Sequence, residues 1–223
     1  MQQRGMTREL MCMRAGQELL DKGYTYVNLG IGIPTLLPEF VPQEAEIMFH
    51  GENGVLGLGR VVEESEWDFD LSNASGEPVT TVPGVSYFDS SLAFAMLRGS
   101  HVEASVVGAY EVSEKGDLAN WQGPGIRTGS PGGSLDIAVG VKHVIAIMMH
   151  TTDEGKPRIV KQCSLAITAK GVISTIITNL AVMDVTSQGL ILREVAQGIT
   201  AGEVQVVTEP KLIVSEQLKE IAL

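Results

Sequence analysis

The feature that most constrains the fold is a strand, a glycine loop and a helix in immediate succession near the start of the chain. Residues 24–29 are rich in β-forming side chains, and a loop containing Gly30, Gly32 and Pro34 follows them directly. Proline is favourable in the first turn of a helix, so a short helix is predicted over residues 35–40. This succession is the βα unit of an α/β protein. Such units bind ligands at the carboxyl end of the strand, over the start of the helix.

Capping signals predict three further helices. The first covers residues 7–21, and Gly23 is well placed to end it. The second covers residues 89–97, with Asp89 or Ser90 as its cap and Gly99 as its stop. A final helix is predicted at 201–206, and the polar stretch 63–78 is interpreted as an irregular surface excursion.

Two continuous apolar runs, residues 104–108 and 144–149, predict buried strands of a parallel sheet that is covered on both faces. After Pro157, short β-rich runs lie close together around turns, which favours antiparallel pairing. These runs are residues 158–160, 172–178, 181–185 and 190–195. We therefore predict an α/β fold, with a mostly parallel sheet flanked by helices and a C-terminal antiparallel β portion. No repeat or linker divides the sequence, so residues 1–223 are predicted to form a single domain.

Composition excludes several classes of function. The 223 residues carry a net charge of −11, whereas nucleic-acid binders normally show a basic footprint. Hydrophobic residues make up 44% and charged residues 19%, which is typical of a folded protein with a sizeable core. Cys12 and Cys163 lie far apart, without the spacing of a zinc site or a disulfide framework. No apolar run is long enough for a membrane span or a signal peptide, so we expect a cytoplasmic protein.

The strongest candidate for chemistry is a glycine-hinged turn formed by Glu52, Asn53 and Gly54. It lies between a predicted strand, residues 47–50, and residues 55–59, which we interpret as a second glycine-rich loop, too apolar for an exposed hairpin. Glycines leave room beside the carboxylate and let backbone N–H groups face an oxygen that develops charge. Glu-Asn-Gly by itself is more often a solvated turn, but the apolar flanks indicate a partly covered cleft here.

Two groups of residues are candidates for the same site. Asn28 directly precedes the loop of Gly30 and Gly32, where its amide can donate to Glu52 or to a substrate. A turn-forming asparagine is the alternative. Gly132 and Gly133 can offer N–H groups to an oxyanion, with a flexible loop as the alternative. They follow a run of further glycines, namely Gly123, Gly125 and Gly129.

A third candidate is Asn120, which lies beside Trp121 and Gln122 and can line a pocket. We interpret Trp121 itself as a buried core residue. Other motifs are missing: the loop of Gly30 and Gly32 is too short for a dinucleotide fingerprint, and the sequence contains no P-loop. The four histidines show no metal-ligand spacing and are interpreted as structural, so no metal site is predicted.

Five sequence blocks, taken in order, resemble the family I coenzyme A transferases, specifically the β subunits of 3-oxoacid CoA-transferases. The similarity covers nearly the whole chain, through residues 27–35, 52–54, 118–121, 132–136 and 176–185. There are two departures. Gly51 stands where the family usually has serine, and residues 130–136, which include Pro131, replace a Gly-Met-Gly-Gly-Ala-Met-Asp pattern.

The resemblance implies a ping-pong CoA-transferase that moves CoA between a 3-oxoacyl-CoA or short-chain acyl-CoA and a carboxylic acid. This role belongs to ketone-body or short-chain fatty acid metabolism. Glu52 would carry a glutamyl-CoA thioester, and Gly133 would stabilise the oxyanions. Substrate and CoA contacts are expected from Asn28, Gly30, Gly32, Asn53, Gly54, Asn120 and Gly132. CoA is then a substrate, and neither a tightly bound cofactor nor a membrane is implied.

The same resemblance implies a separate α subunit in a hetero-oligomer, because the family forms its active site between an α half and a β half. Two alternatives stay open. One is a sugar-phosphate isomerase-like relative of the same fold, since fold does not fix function. The other is a non-catalytic structural subunit that only braces a partner.

Overall fold

The computed structural model describes residues 4–123 and 130–222, and five α-helices lie within these ranges. They are α1 (Arg8–Asp21), α2 (Leu37–Phe40), α3 (Ser90–Arg98), α4 (Ser134–Gly140) and α5 (Ala201–Val206). Short 3-10 helices cover Ile33–Leu36, Gln43–Ala45 and Glu64–Glu66. None of the helices in these two stretches is both long enough and apolar enough to cross a membrane.

Ten strands form one sheet, and three more form a small second sheet. The strands are β1 (Tyr26–Leu29), β2 (Met48–Gly51), β3 (Val55–Val61), β4 (Val79–Tyr87), β5 (Ala104–Gly108), β6 (Glu111–Ser113), β7 (Leu118–Ala119), β8 (His143–Met148), β9 (Ile159–Val160), β10 (Ile173–Thr178), β11 (Ala181–Thr186), β12 (Gly189–Val195) and β13 (Leu212–Glu220). The large sheet has the order β13-β12-β11-β10-β8-β5-β1-β2-β3-β4, and the small one β7-β6-β9.

The centre of the large sheet is parallel. β1 pairs in parallel with β2 on one side and with β5 on the other, and the parallel run continues through β8 to β10. These strands are almost fully buried, as expected for a parallel sheet with helices on both faces. The predicted fold class is therefore confirmed. The carboxyl ends of β1, β2 and β5 meet at one edge of the sheet.

Antiparallel pairing occurs at both ends of this parallel centre. The predicted C-terminal portion is confirmed, because β11 pairs antiparallel with β10 and β12. The second antiparallel portion, formed by β2, β3 and β4, was not predicted. The interpretation of residues 55–59 as a glycine-rich loop is wrong: they belong to β3, which forms a buried hairpin with β2. Gly57, at φ +105°, allows the irregular register of this strand beside β4.

Helix boundaries follow the predicted caps. The Thr7 hydroxyl accepts the N–H of Leu10 at 3.3 Å, and the Asp89 carboxylate accepts the N–H of Leu92 at 3.0 Å. Gly23, at φ +68°, follows α1, and Gly99 is the C-cap of α3. Each cap satisfies an N–H or C=O group that the helix leaves without an internal partner. The polar stretch 63–78 lies between β3 and β4, largely without regular structure, as predicted.

The turn between β2 and β3 depends on Gly54. Its φ is +111°, a conformation that L residues rarely adopt, and its N–H donates to the Gly51 carbonyl at 3.0 Å. A Cβ atom at this position would collide with the carbonyl oxygen of Phe88. The Phe88 N–H in turn donates to the Gly54 carbonyl at 3.0 Å. The turn is therefore held tightly against the chain that leaves β4.

A buried ion cluster joins α1 to the C-terminal strands. Arg14 donates to both carboxylate oxygens of Glu194 on β12, at 2.6 and 2.8 Å, and to Glu18 at 2.8 Å. Arg193 donates to the same Glu18 at 2.9 Å. Burial alone would raise the pKa of Glu194, but the hydrogen bonds and charge of Arg14 outweigh it and hold that pKa below its usual value. The cluster thus stays ionised inside the fold.

The Gly54→Ala substitution should test the turn. The Cβ meets both an unfavourable φ and the Phe88 carbonyl, so we expect a loss of about 1–3 kcal/mol beyond the strain of the φ angle alone. Gly76→Ala is the matched control, since Gly76 has φ +77° and no atom within 4 Å of its Cβ position. That variant should lose only about 1–2 kcal/mol. Urea unfolding measures both, and equal losses would contradict the tight turn.

Breaking the buried ion cluster should cost much more than breaking an exposed ion pair. Glu194→Ala leaves the Arg14 charge buried without its main partner, and we expect a loss of about 3–5 kcal/mol in the free energy of unfolding. The control is Glu66→Ala, which removes the exposed partner of Arg60, 2.8 Å away. Exposed pairs contribute only about 0–1 kcal/mol. Similar shifts of the denaturation midpoint in both variants would show that the cluster is not critical.

Candidate active site

Glu52 lies at the carboxyl edge of the sheet, directly after β2, and is half-buried. Because β2 pairs in parallel with β1, the turn of Glu52 lies beside the loop that follows β1. Ligands of open α/β sheets bind at this edge. The half-buried carboxylate agrees with the partly covered cleft that the apolar flanks indicated.

Asn28, the third residue of β1, reaches this carboxylate. It is completely buried, and its Nδ2 lies 3.4 Å from Oε2 of Glu52 and 3.2 Å from the carbonyl oxygen of His50. The Asn28 Oδ1 accepts the hydroxyl of Ser105 on β5 at 2.8 Å. Asn28 is therefore not a turn residue, which was the alternative considered for it. Its amide is fixed by groups from β2 and β5.

Gly133 approaches Glu52 from another part of the chain. It is the N-cap of α4, and a Cβ atom at Gly133 would lie 3.6 Å from Cγ of Glu52 and only 2.8 Å from the ring of Phe94 on α3. Only glycine fits beside both groups. In the part of the chain that the structure describes, the Gly133 N–H makes no hydrogen bond, whereas the Gly132 N–H donates to the Ser130 hydroxyl at 3.2 Å.

The glycine loop after β1 has two different environments. Gly30 packs against β5, since its N–H donates to the Val106 carbonyl at 2.9 Å and a Cβ would lie 3.2 Å from that oxygen. Gly32 is exposed at φ +88°, with no atom within 4 Å of its Cβ position. Close packing therefore explains the glycine at position 30, and backbone conformation explains the glycine at position 32.

The surface excursion 63–78 connects the two loops that flank Glu52. Asn53 Nδ2 donates to the Ser72 carbonyl at 2.7 Å, which ties the excursion to the turn after β2. The Gly32 N–H donates to the Ser75 hydroxyl at 3.3 Å, and Thr35 donates to Glu77 at 3.1 Å. The excursion therefore braces the site from the solvent side.

Asn120 follows β7 in the small sheet. Its N–H donates to the Thr168 hydroxyl at 3.2 Å, and its Oδ1 accepts that hydroxyl at 2.7 Å. Within the described ranges, no hydrogen bond joins it to Asn28 or Glu52. The interpretation of Trp121 as a buried core residue is wrong, because the side chain is half-exposed. Gly125 and Gly129 lie outside the described residues.

Two polar residues of the site were missed by the sequence analysis. Ser105 was treated only as part of an apolar strand, and His50 was treated as an ordinary structural histidine. Burial lowers the pKa of His50 to about 4, and the backbone of Ala93 opposes that shift only in part. The ring is therefore neutral at neutral pH. A single serine inside an otherwise apolar strand was the one signal in the sequence that pointed to Ser105.

Other reactive groups are poorly placed for chemistry. Burial raises the pKa of the Cys12 thiol to about 12 and that of the Cys163 thiol to about 11, so neither is a thiolate at neutral pH. Within residues 4–123 and 130–222, no cluster of three or more histidine, cysteine or acidic side chains could hold a metal ion. The geometry thus concentrates on one carboxylate with an amide donor and a glycine backbone beside it.

Comparison with known proteins gives consistent matches along the chain. The family model for coenzyme A transferase matches residues 14–206. The chain is 43% identical over 205 residues to the β subunit of a probable coenzyme A transferase of Bacillus subtilis, with 92% of this chain and 94% of that protein covered. It is also 43% identical over 202 residues to one of the subunits of the succinyl-CoA:3-ketoacid coenzyme A transferase of Helicobacter pylori, the one designated B. That match covers 91% of this chain and 96% of the relative.

A solved structure shows the same fold. The acyl-CoA transferase YdiF of Escherichia coli O157:H7, without ligand, superimposes with a TM-score of 0.76 at 20% identity, over 97% of this chain and 43% of that one. The same enzyme in a thioester complex with CoA gives a TM-score of 0.70 at 20% identity, over 100% and 44% of the two chains. This chain thus spans less than half of that enzyme. The resemblance inferred from the five sequence blocks is confirmed, and the chain belongs to the coenzyme A transferase family.

Proposed function

We propose that the chain is the catalytic β subunit of a CoA-transferase, which moves CoA from an acyl-CoA to a carboxylic acid through a thioester on Glu52. One observation carries the proposal. In a member of this family, a half-buried carboxylate at the carboxyl edge of the sheet lies 3.4 Å from a buried amide donor and directly beside the Gly133 backbone.

The reaction would proceed in two matched halves. The ionised Glu52 attacks the acyl-CoA carbonyl, which forms a mixed anhydride and releases CoA as a thiolate. The thiolate then attacks the glutamyl carbonyl, so that the first acid leaves as a carboxylate and CoA stays on Glu52 as a thioester. A second carboxylate attacks this thioester, and the same two steps run in reverse. No step needs a redox change or a metal.

Gly133 is proposed as the oxyanion donor. Each addition to a carbonyl leaves a negative oxygen next to the Glu52 side chain, and a backbone N–H already in place stabilises it without reorganisation. Losing one such donor typically costs about 3–4 kcal/mol of transition-state stabilisation. The glycine at this position is supported by packing, because any Cβ would press on Phe94.

The remaining predicted contacts are proposed at lower resolution. Asn53 and Gly54 shape the turn of Glu52, while Gly30 and Gly32 shape the neighbouring loop. Gly132 and Asn120 are retained as contacts of the acyl-CoA, from the resemblance rather than from a contact with Glu52. CoA acts as a substrate, and no tightly bound cofactor is proposed.

An α subunit is proposed as the partner. This chain matches nearly the full length of a relative that is itself a β subunit, but less than half of the single-chain YdiF. The missing half would lie over Glu52, where apolar side chains are left exposed: Ile31 at 64% and Leu135 at 45%. Covering these side chains would also exclude water from the thioester. The chemistry would be exchange between 3-oxoacyl or short-chain acyl-CoAs and carboxylates.

The departure at Gly51 does not argue for a non-catalytic subunit. A Cβ atom at Gly51 would lie 2.5 Å from Oδ1 of Asn53 and 3.0 Å from Leu58. In this chain the space that a serine would occupy is filled by the Asn53 amide, which is turned toward Ser72. The turn thus keeps its shape by a different contact, and Glu52 keeps its donor from Asn28.

Replacing Glu52 tests the chemistry. In the complex purified through a tag on this chain, Glu52→Gln should lower the turnover of acetyl-, succinyl- or acetoacetyl-CoA by about 10³-fold or more, because the nucleophile is lost. Glu66→Gln, at an exposed carboxylate, should leave the rate unchanged. Borohydride treatment with acyl-CoA should convert Glu52 of the unsubstituted complex to the alcohol, which mass spectrometry detects. A complex that turns over without this modification would refute the thioester.

The need for a partner gives a separate prediction. The purified chain alone should show no transferase turnover, because its site lacks the half that covers Glu52. Adding the α subunit should restore turnover together with a hetero-oligomer of larger mass, measured by light scattering. Transferase activity in the isolated chain, at a rate similar to that of the complex, would contradict this.

A further inference from the structure

The centre of the large sheet contains one row of polar side chains among apolar ones. Asn28 on β1 is in register with His50 on β2 and with Ser105 on β5, and all three side chains are completely buried. The row ends in apolar residues on both sides, Leu56 on β3 and Val144 on β8. Burying polar groups costs free energy unless they are paired, so packing alone does not explain the row.

Ser105 determines which way the Asn28 amide points. Its hydroxyl donates to Oδ1 at 2.8 Å, so Nδ2 faces His50 and Glu52. The flipped amide would place Oδ1 against the His50 carbonyl and the Glu52 carboxylate, which are both acceptors. Only one orientation therefore satisfies all of these groups.

His50 presents a second acceptor to the same amide. Its Nδ1 lies 3.3 Å from Asn28 Nδ2, its carbonyl oxygen 3.2 Å, and the Glu52 carboxylate 3.4 Å. Two amide hydrogens thus face three acceptors. The carboxylate receives a hydrogen that it shares with the imidazole.

The imidazole itself is held by packing. Its ring stacks on Phe88, with 6.0 Å between centroids, and burial keeps it neutral, as Nδ1 must be to accept. Its Nε2 has no hydrogen-bond partner within the described ranges. An apolar side chain would avoid that unpaired group, so the histidine is retained at a cost in stability.

Building on the proposed function, we infer that Ser105 and His50 are positioning residues that fix the Asn28 amide and so set the place and the nucleophilicity of Glu52. Ser105 prevents the amide flip. His50 withdraws part of the hydrogen bond from the carboxylate, which leaves the carboxylate located but weakly bound. When Glu52 carries the thioester, its carbonyl oxygen can accept the same N–H.

The first test is Ser105→Ala in the complex with the α subunit, with Ser174→Ala as the matched control. Ser174 lies on β10, and its hydroxyl donates to the Val144 carbonyl at 3.1 Å, away from Asn28. Ser105→Ala should lower kcat and the rate of CoA release in the first half-reaction by roughly tenfold, with little change in KM. Ser105→Thr, which keeps a hydroxyl, should recover most of the rate.

The second test concerns His50. His50→Gln keeps an acceptor oxygen and should stay closer to the unsubstituted rate than His50→Leu, which has none. In His50→Leu the Asn28 N–H belongs wholly to the carboxylate. The acid limb of the profile of kcat/KM against pH should then move to lower pH. An unmoved limb in His50→Leu would show that the histidine only fills space.

The outcomes separate this inference from the proposed function. If the unsubstituted complex forms no borohydride-trapped Glu52 with acetyl-, succinyl- or acetoacetyl-CoA, both are overturned. If it does, and Ser105→Ala is trapped at the rate of Ser174→Ala, only the inference is overturned. Equal losses in the alanine and threonine variants, together with a lower unfolding midpoint, would also overturn it, because they indicate a purely structural serine.

Discussion

The register of β1 between β2 and β5 is the constraint on which the site depends. Parallel pairing brings the carboxyl ends of these strands to one edge and aligns Ser105, Asn28 and His50 across them. The hairpin after β2 then holds Glu52 beside Asn28, and the start of α4 brings Gly133 to the same place. A slip of one residue would turn every side chain to the opposite face, so the apolar core that fixes the register also fixes the site.

Local signals in the sequence were enough to predict the βα unit, the caps at Thr7 and Asp89, and the candidate role of Glu52. These features depend on residues close together in the chain, such as a hydroxyl three positions before the N–H it accepts. The antiparallel C-terminal strands were also predictable, because each apolar run is separated from the next by a short turn. Family resemblance added the chemistry, which composition and periodicity do not contain.

Other features depend on pairing between distant segments. β3 was mistaken for a loop because Gly57 and Gly59 interrupt its apolar pattern, yet β4 accommodates both glycines. β13 is an edge strand with mostly exposed side chains, so it lacks the apolar run that marks a buried strand. The roles of Ser105 and His50 follow only from the cross-strand register. No spacing along the chain indicates that residues 28, 50 and 105 are neighbours.

Residue 52 carries little of the architecture around it. The bend is secured by the Gly54 contacts with Gly51 and Phe88, and by the anchor from Asn53 to Ser72, whereas the glutamate makes one long hydrogen bond. Scaffold and reactivity are thus separable at this position. A single codon change could install a different functional group on an undisturbed framework, so a new chemistry here would not require a new protein shape.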